Sequence, residues 1–253
     1  SSGEFIMNLA QILNVIVTLK FSRICEDLIV WSSMGMIKIG SKYGTSSSIM
    51  PQKFNPDIIE LIRAKSGNMM AHIVKTATIC KGTPTGYNRD FQEVKHVLIE
   101  SVNDVTQIIN VMDGVLSSIE PNTDQMTEIL KKHNCGSTDL ANLITIRHQI
   151  PFRQSYLIVK KMLDGEKLSN VIFDITGKKI KIEDNEIQDM LDPESSVKRR
   201  NHIGAPNALE TNKSIKKNNI KLMKIIKSTK NTQSEINKKF NFLTTYNVNK
   251  LIK

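Results

Sequence analysis

Thr45-Ser46-Ser47-Ser48 places four hydroxyls in a row, and the chain then runs through Met50-Pro51 to Lys53, Asn55-Pro56, Asp57 and Glu60. Small hydroxylated residues keep a loop mobile and rich in donors. Asn55 suits a helix N-cap and Pro56 the first helical position, so a helix is expected to open at Pro56. A helix N-terminus attracts anions through its N–H groups and its dipole, and Lys53 adds a full positive charge beside it. The stretch 44–60 therefore reads as a hydroxyl-bearing loop leading into a carboxylate-binding corner. A plain loop ahead of a helix has the same composition. Only the order of the string separates the two readings.

The elements that must hold this loop are helical. Residues 4–33 predict one long helix, with Phe5, Leu9, Ile12, Leu13, Ile16, Leu19, Ile24, Leu28 and Trp31 recurring mostly at three and four. Further apolar residues on other faces (Ile6, Val15, Val17) predict burial on more than one side. Residues 34–55 form a long loop, and a second helix runs from Pro56 to about Cys80. Gly82-Thr-Pro-Thr-Gly86 interrupts it. A third helix begins near Arg89 with a stripe of Val94, Leu98, Val102, Val105, Ile109, Met112, Leu116 and Ile119, and Pro121 ends it. Shorter helices follow at 123–132, 137–148 and 151–163, with a turn at Asp164-Gly165. Residues 207–227 predict an amphipathic helix, and from Ser228 on the polar composition predicts loss of order. The domains expected are 1–128 (central long helices, carrying the loop), 129–208 (smaller, helical) and 209–253 (basic helix and disordered tail).

Hydrophobic residues make up 40% of 253, enough for a sizeable core, while aromatics are only 5%, so aliphatic side chains carry the packing. Cys25, Cys80 and Cys135 are odd in number and far apart, which fits no disulfide framework or metal spacing and suits a reducing compartment. Asn8, Asn14 and Lys20 break the apolar runs, so no membrane span is expected, and no signal peptide is apparent. The net charge of +10 invites a nucleic-acid partner. Its location argues otherwise: from Lys198 onward 14 Lys and Arg face 2 Asp and Glu, whereas the rest carries 21 against 23. With no interleaved aromatics or nucleic-acid motif, the tail reads as a solvated terminus.

The string Ser47-Ser48-Ile49-Met50-Pro51-Gln52-Lys53-Phe54-Asn55-Pro56 resembles the signature of the aspartase/fumarase superfamily, with Ser46 where the family has glycine. The flanks resemble argininosuccinate lyases: Asp57 to Arg63, Lys81-Gly-Thr-Pro-Thr-Gly-Tyr87 through Gln92 to Lys95, Ser137-Thr138-Asp139, Ile150-Pro-Phe-Arg153, and Ser195 to Gly204. The resemblance runs to about Pro206. It implies an all-α fold, a long-helix bundle of the fumarase/aspartase type with a smaller C-terminal helical domain. It also implies a cytoplasmic homotetramer with a twenty-helix core and active sites shared between protomers. The family's histidine-bearing segment has no counterpart around His72, His96, His133, His148 or His202, and Ser1-Ser2-Gly3-Glu4 stands where the family commonly has Ser-x-Arg-Asp. The chain is thus expected to be the C-terminal portion of such a lyase, active only once completed.

The reaction implied is the β-elimination of argininosuccinate to arginine and fumarate, without cofactor or metal, in arginine biosynthesis. By resemblance Ser47 is the catalytic base, Lys53 holds the charge that develops on the substrate carboxylate, and Glu60 is the partner of the missing histidine. Asn55, Tyr87, Gln92 and Lys95 bind substrate. Gln92 and Lys95, three apart on one helix, can face the same ligand. Capping is a sufficient role for Ser137-Thr138-Asp139, and Arg153 and the 195–204 motif read as structural. The alternatives are a non-catalytic or structural remnant of a lyase, or another superfamily lyase such as adenylosuccinate lyase.

Overall fold

The computed structural model describes residues 2–46 and 54–245. The chain divides into two units, Ser1–Ile129 and Leu130–Lys253. Both are helical, and the described strands are two-residue antiparallel pairs that tie loops together.

The first unit opens with one continuous helical rod: α1 (Ser2–Val15), a π-helical turn (Ile16–Phe21) and α2 (Ser22–Ser33). The backbone stays right-handed helical across both joins, so the single helix read over 4–33 is present. The π turn begins next to Asn14, a nearly buried polar residue. The Thr18 hydroxyl donates to Asn14 Oδ1 at 2.8 Å, and Asn14 Nδ2 contacts Met70 Sδ at 3.3 Å. A π turn re-aims the face that follows it, here toward Cys25 and Leu28.

The rod packs on α3 (Asp57–Cys80) and α4 (Phe91–Ser117). Val17, Cys25, Leu28, Ile59, Ile62, Met69, Val105, Ile108, Met112 and Val115 form their shared core. Polar contacts fix the register along the edges. Arg63 donates to Glu26 at 2.5 Å, Lys65 pairs with Asp104 at 2.5 Å, and His72 Nδ1 lies 2.8 Å from the buried Ser101 hydroxyl. The last two contacts show α3 and α4 running antiparallel.

The buried stripes differ from those read in the sequence. The rod buries the line Ile6, Ala10, Asn14, Val17, Cys25 and Leu28, while Phe5, Ile12, Leu19 and Trp31 remain 44–67% exposed. In α4 the buried line is Val94, Val97, Ser101, Val105, Ile108, Met112 and Val115, with Val102, Ile109 and Leu116 outside. Each of these helices has two apolar faces, and periodicity alone does not say which one this chain covers. The same excess makes Glu4–Ser33 long and apolar enough to cross a membrane by length and composition. The polar interruptions at Asn8, Asn14 and Lys20 do not remove that property, and one face of the rod is used for packing on α3 and α4.

Within α5 (Thr123–Lys132) the first unit gives way to the second. There α6 (Ser137–His148), α7 (Phe152–Leu163), α8 (Leu168–Thr176) and α9 (Asp184–Leu191) surround a core of Leu140, Ala141, Ile144, Ile150, Ile158, Val159, Val171 and Ile172. Gly136 has no room for a Cβ, because the backbone of Met190 and Leu191 passes over it. No side chain caps α6, contrary to the capping role expected of Ser137-Thr138-Asp139. Asp139 instead accepts from the Ser196 hydroxyl and from Arg200 Nη2 at 3.1 Å. It thereby anchors α10 (Pro193–Arg199), whose N-cap Asp192 accepts from Ser195 N at 2.8 Å. That hydrogen bond holds the Asp192 carboxyl below its ordinary range. The last helix, α11 (Ala208–Thr245), continues well past Ser228, where the polar composition had predicted an end to order.

Burial pushes the Cys25 thiol up from 9.0 to about 11, with Arg63 opposing weakly. The folded state favours the protonated thiol. Its contribution to stability is therefore complete below about pH 9 and lost as pH rises toward about 11. A thiol reagent at neutral pH should modify the exposed Cys135 promptly and Cys25 only on unfolding, read by mass mapping. Prompt labelling of Cys25 in folded protein would contradict this core.

Candidate active site

The residues that lead into the hydroxyl loop are pinned to the far end of α4. β1 (Ile37–Lys38) pairs with β4 (Glu120–Pro121), and Asn122 N donates to Met36 O at 2.8 Å. Gly40 N donates to Ser118 Oγ at 3.2 Å. A short 3-10 turn (Ser41–Tyr43) then sets the Tyr43 ring on Gly114 of α4 so closely that a Cβ there would collide with the phenol oxygen. Lys42 Nζ lies 4.9 Å from the centre of the Tyr43 ring. Within the long loop expected over 34–55, residues 36–44 are thus a pinned arm.

β2 (Thr45–Ser46) pairs antiparallel with β3 (Phe54–Asn55), Thr45 opposite Asn55 and Ser46 opposite Phe54. This ladder brings the two ends of the signature loop together. Gly44 fits because its missing Cβ would run into the Asn55 carbonyl oxygen and the Phe54 ring. The Thr45 hydroxyl donates to Asp57 Oδ2, so the hydroxyl run is tied directly to the first residue of α3. The intervening residues 47–53, with Ser47 and Lys53, lie outside the described residues.

The helix start differs by one residue from the expectation. Pro56 is the N-cap and Asp57 the first helical residue, while Asn55 belongs to β3. Proline reaches this position because its carbonyl, which does not depend on the missing N–H, accepts from Ile59 N at 2.9 Å and Glu60 N at 3.1 Å. Glu60 is exposed on the first turns of α3. Arg63, three residues on, is held above its ordinary pKa first by its hydrogen bond to Glu26 and also by the field of Glu60.

Tyr87, Gln92 and Lys95 form a second group at the opposite end of the helix pair. Gln92 Nε2 donates to Tyr87 Oη at 3.4 Å, all three are exposed, and Lys95 lies one turn along α4. The connection from α3 to α4 is shaped by Thr83 Oγ1 donating to Cys80 O and Asn88 Nδ2 to Pro84 O, both at 3.0 Å. From Gln92 to Gly114 the chain climbs α4 for 22 residues, about 33 Å at the helical rise. The structure therefore brings Asn55 and Glu60 to one end and Tyr87, Gln92 and Lys95 to the other. No single copy joins the groups around a small molecule. Sequence reasoning missed Tyr43, Gly44, Gly114 and the Thr45–Asp57 contact. Only the Asp after Asn-Pro signalled any of them.

Among the described residues no cluster of His, Cys, Asp or Glu could hold a metal ion. A family model described as lyase matches residues 1–71. An argininosuccinate lyase of Methanococcus aeolicus is 34% identical over 85% of this chain and 46% of its own length. One of Methanocaldococcus jannaschii is 33% identical over 98% of this chain and 53% of its own. Among solved structures, a variant of EDDS lyase with bound fumarate superposes with a TM-score of 0.76 at 23% identity, over 93% of this chain and 50% of that one. The helical fold and the matched family model are those of lyases of the fumarase/aspartase superfamily. Within that superfamily the chain belongs to the argininosuccinate lyase family, and it spans about half the length of the curated relatives it matches.

The pinned arm gives a direct test of the corner. Gly44→Ala should destabilise the protein by about 1–3 kcal/mol through overpacking. Gly67→Ala, at an open position in α3, should stabilise it by about 0.5–1 kcal/mol. Thermal unfolding compares the two, and equal melting temperatures would mean that the Gly44 contact is not tight.

Proposed function

We propose that this chain supplies part of an argininosuccinate lyase, which cleaves argininosuccinate reversibly to arginine and fumarate by β-elimination. The observation that carries the reading is the sustained match to proteins named argininosuccinate lyases, at 33–34% identity over 85–98% of the chain. The EDDS lyase structure holding fumarate supports the same product class.

In this reading Ser47 removes the proton beside the substrate carboxylate. A serine hydroxyl is a weak base in water, so it needs a positive field and exclusion of solvent. Lys53 and the N-terminus of α3 supply that field and stabilise the charge that builds on the carboxylate. Asn55 donates to the substrate, and the Thr45–Asp57 tie with the β2–β3 ladder fixes where the loop starts and ends. Glu60 orients the acid that protonates the leaving nitrogen. Tyr87, Gln92 and Lys95 bind the substrate's polar and carboxylate groups.

Two groups at opposite ends of the α3–α4 pair cannot serve one substrate in one copy. We therefore assign each site to more than one protomer of a cytoplasmic homotetramer. The second apolar faces of the rod and α4, with Phe5, Ile12, Leu19, Ile109 and Leu116 exposed, are of the kind that subunit association covers.

The test is fumarate release from argininosuccinate by this chain assembled with the remaining half of a family member. Ser47→Ala should lower it by at least about a hundredfold with unchanged melting temperature, and Gln92→Ala should lower it separately. Mixing the two inactive variants should restore activity, because a hybrid assembly contains sites with both residues intact. Unaltered turnover in Ser47→Ala would sink the reading, and absence of restoration would sink the shared site.

A further inference from the structure

We infer that α11 is an interfacial helix that docks the protein on an anionic lipid surface. This goes beyond the lyase reading and does not depend on it. The helix runs 38 residues from Ala208 to Thr245 and buries none of them. Its sequence is rich in Asn, Thr, Ser and Ile, which are indifferent helix formers. A helix of such composition is stabilised chiefly by covering an apolar face.

The charges around α11 are sharply sorted. At about 100° per residue, every lysine and both glutamates fall on one half of the circumference. That half carries nine lysines against Glu210 and Glu235, a net of +7. The other half carries no charge along the whole length. It holds Ile215, Leu222, Ile225, Ile226, Ile236, Phe240 and Leu243, each 38–72% exposed, while Leu209, Ile220, Met223 and Phe242 lie among the lysines. Low overall hydrophobicity with lysines on one face and Leu, Ile and Phe on the other is the pattern of a helix lying in a lipid interface. Lysine stems there extend past the apolar boundary to the headgroups. This revises the expectation of a merely solvated basic terminus. It is a surface association, distinct from a span.

Other occupants suit the same face less well. A second copy would need a two-column seam. One heptad column is apolar but for Thr229 (Ala208, Ile215, Leu222, Thr229, Ile236, Leu243), whereas the column three residues on reads Thr211, Asn218, Ile225, Thr232 and Lys239. Pairing would also bring two helices of net +7 together. A nucleic acid would neutralise the lysines and leave the apolar half in water. An anionic bilayer satisfies both halves at once.

The experiment is co-sedimentation of the full chain with phosphatidylcholine–phosphatidylserine vesicles, against pure phosphatidylcholine vesicles. Binding should require phosphatidylserine and weaken with salt. Lys217→Gln with Lys221→Gln and Lys224→Gln should reduce partitioning about a hundredfold. Leu222→Asn with Ile226→Asn should reduce it at least about tenfold at unchanged charge. Since α11 buries nothing, circular dichroism should show the remaining helices intact in both variants. Three outcomes would overturn the proposal. The first is no binding to either vesicle. The second is binding that the apolar variant leaves unchanged, which is adsorption of a polycation. The third is concentration-dependent self-association that the apolar variant abolishes while vesicles remain unbound.

Discussion

The antiparallel pairing of α3 with α4 is the constraint on which the remaining geometry depends. It is set by small contacts at defined heights: Lys65 to Asp104, His72 to Ser101, and Ile59, Ile62 and Met69 interleaved with Val105, Ile108 and Met112. Once those heights are fixed, the start of α3 stands beside the end of α4. The arm carrying Tyr43 then has one place to rest, on Gly114, and the hydroxyl loop must begin at Gly44 and return at Phe54. The same pairing carries Tyr87 and Gln92 to the opposite end. The helices thus fix Asn55 and Glu60 at one end and Tyr87 and Gln92 at the other.

A frame fixed at both ends of the hydroxyl string would suit the elimination chemistry proposed above. The developing negative charge calls for donors already in place, so that little reorganisation is needed when the proton leaves. The Thr45–Asp57 hydrogen bond and the two-residue ladder are weak by themselves, each of order 1 kcal/mol. They act over a short span, however, and the close fit of Gly44 and Gly114 adds steric definition that flexible side chains would not. A residue larger than glycine at either position would shift the loop origin relative to α3.

Much of this was legible in the sequence, for identifiable reasons. The helices were readable because Pro56, Pro84 and Pro121 punctuate long apolar periodicities. The signature string was readable because its order is specific where its composition is not. The choice of buried face was not readable. Phe5, Ile12 and Leu19 look as core-like as Ile6, Ala10 and Val17, and only the position of α3 and α4 separates them. Asp139 was also misjudged as a cap. Its partners, Ser196 and Arg200, lie some sixty residues away, beyond the range of local pattern. The one-residue error at Pro56 has a local cause: proline is familiar as the first helical residue, but here its carbonyl serves as the cap.

The extent of α11 shows the limit of composition as a guide to order. Polar, lysine-rich sequence after Ser228 has too little apolar surface to fold into a core of its own, which is why it reads as disordered. Such a segment can still be ordered if its few apolar residues lie in line. From Ile215 to Leu243 most of them do: Ile215, Leu222, Ile226, Ile236, Phe240 and Leu243, at intervals of seven, four, ten, four and three, keep to the uncharged half of the helix, while Ile220, Met223 and Phe242 do not. The spacing that composition averages away is the quantity that decides whether a surface can cover that face. In the rod, α4 and α11 alike, the chain places apolar residues in regular lines beyond those its own cores consume. What each helix still lacks is set by those lines: aliphatic faces on the rod and α4 that suit other helices, and on α11 a charge-bordered face that does not.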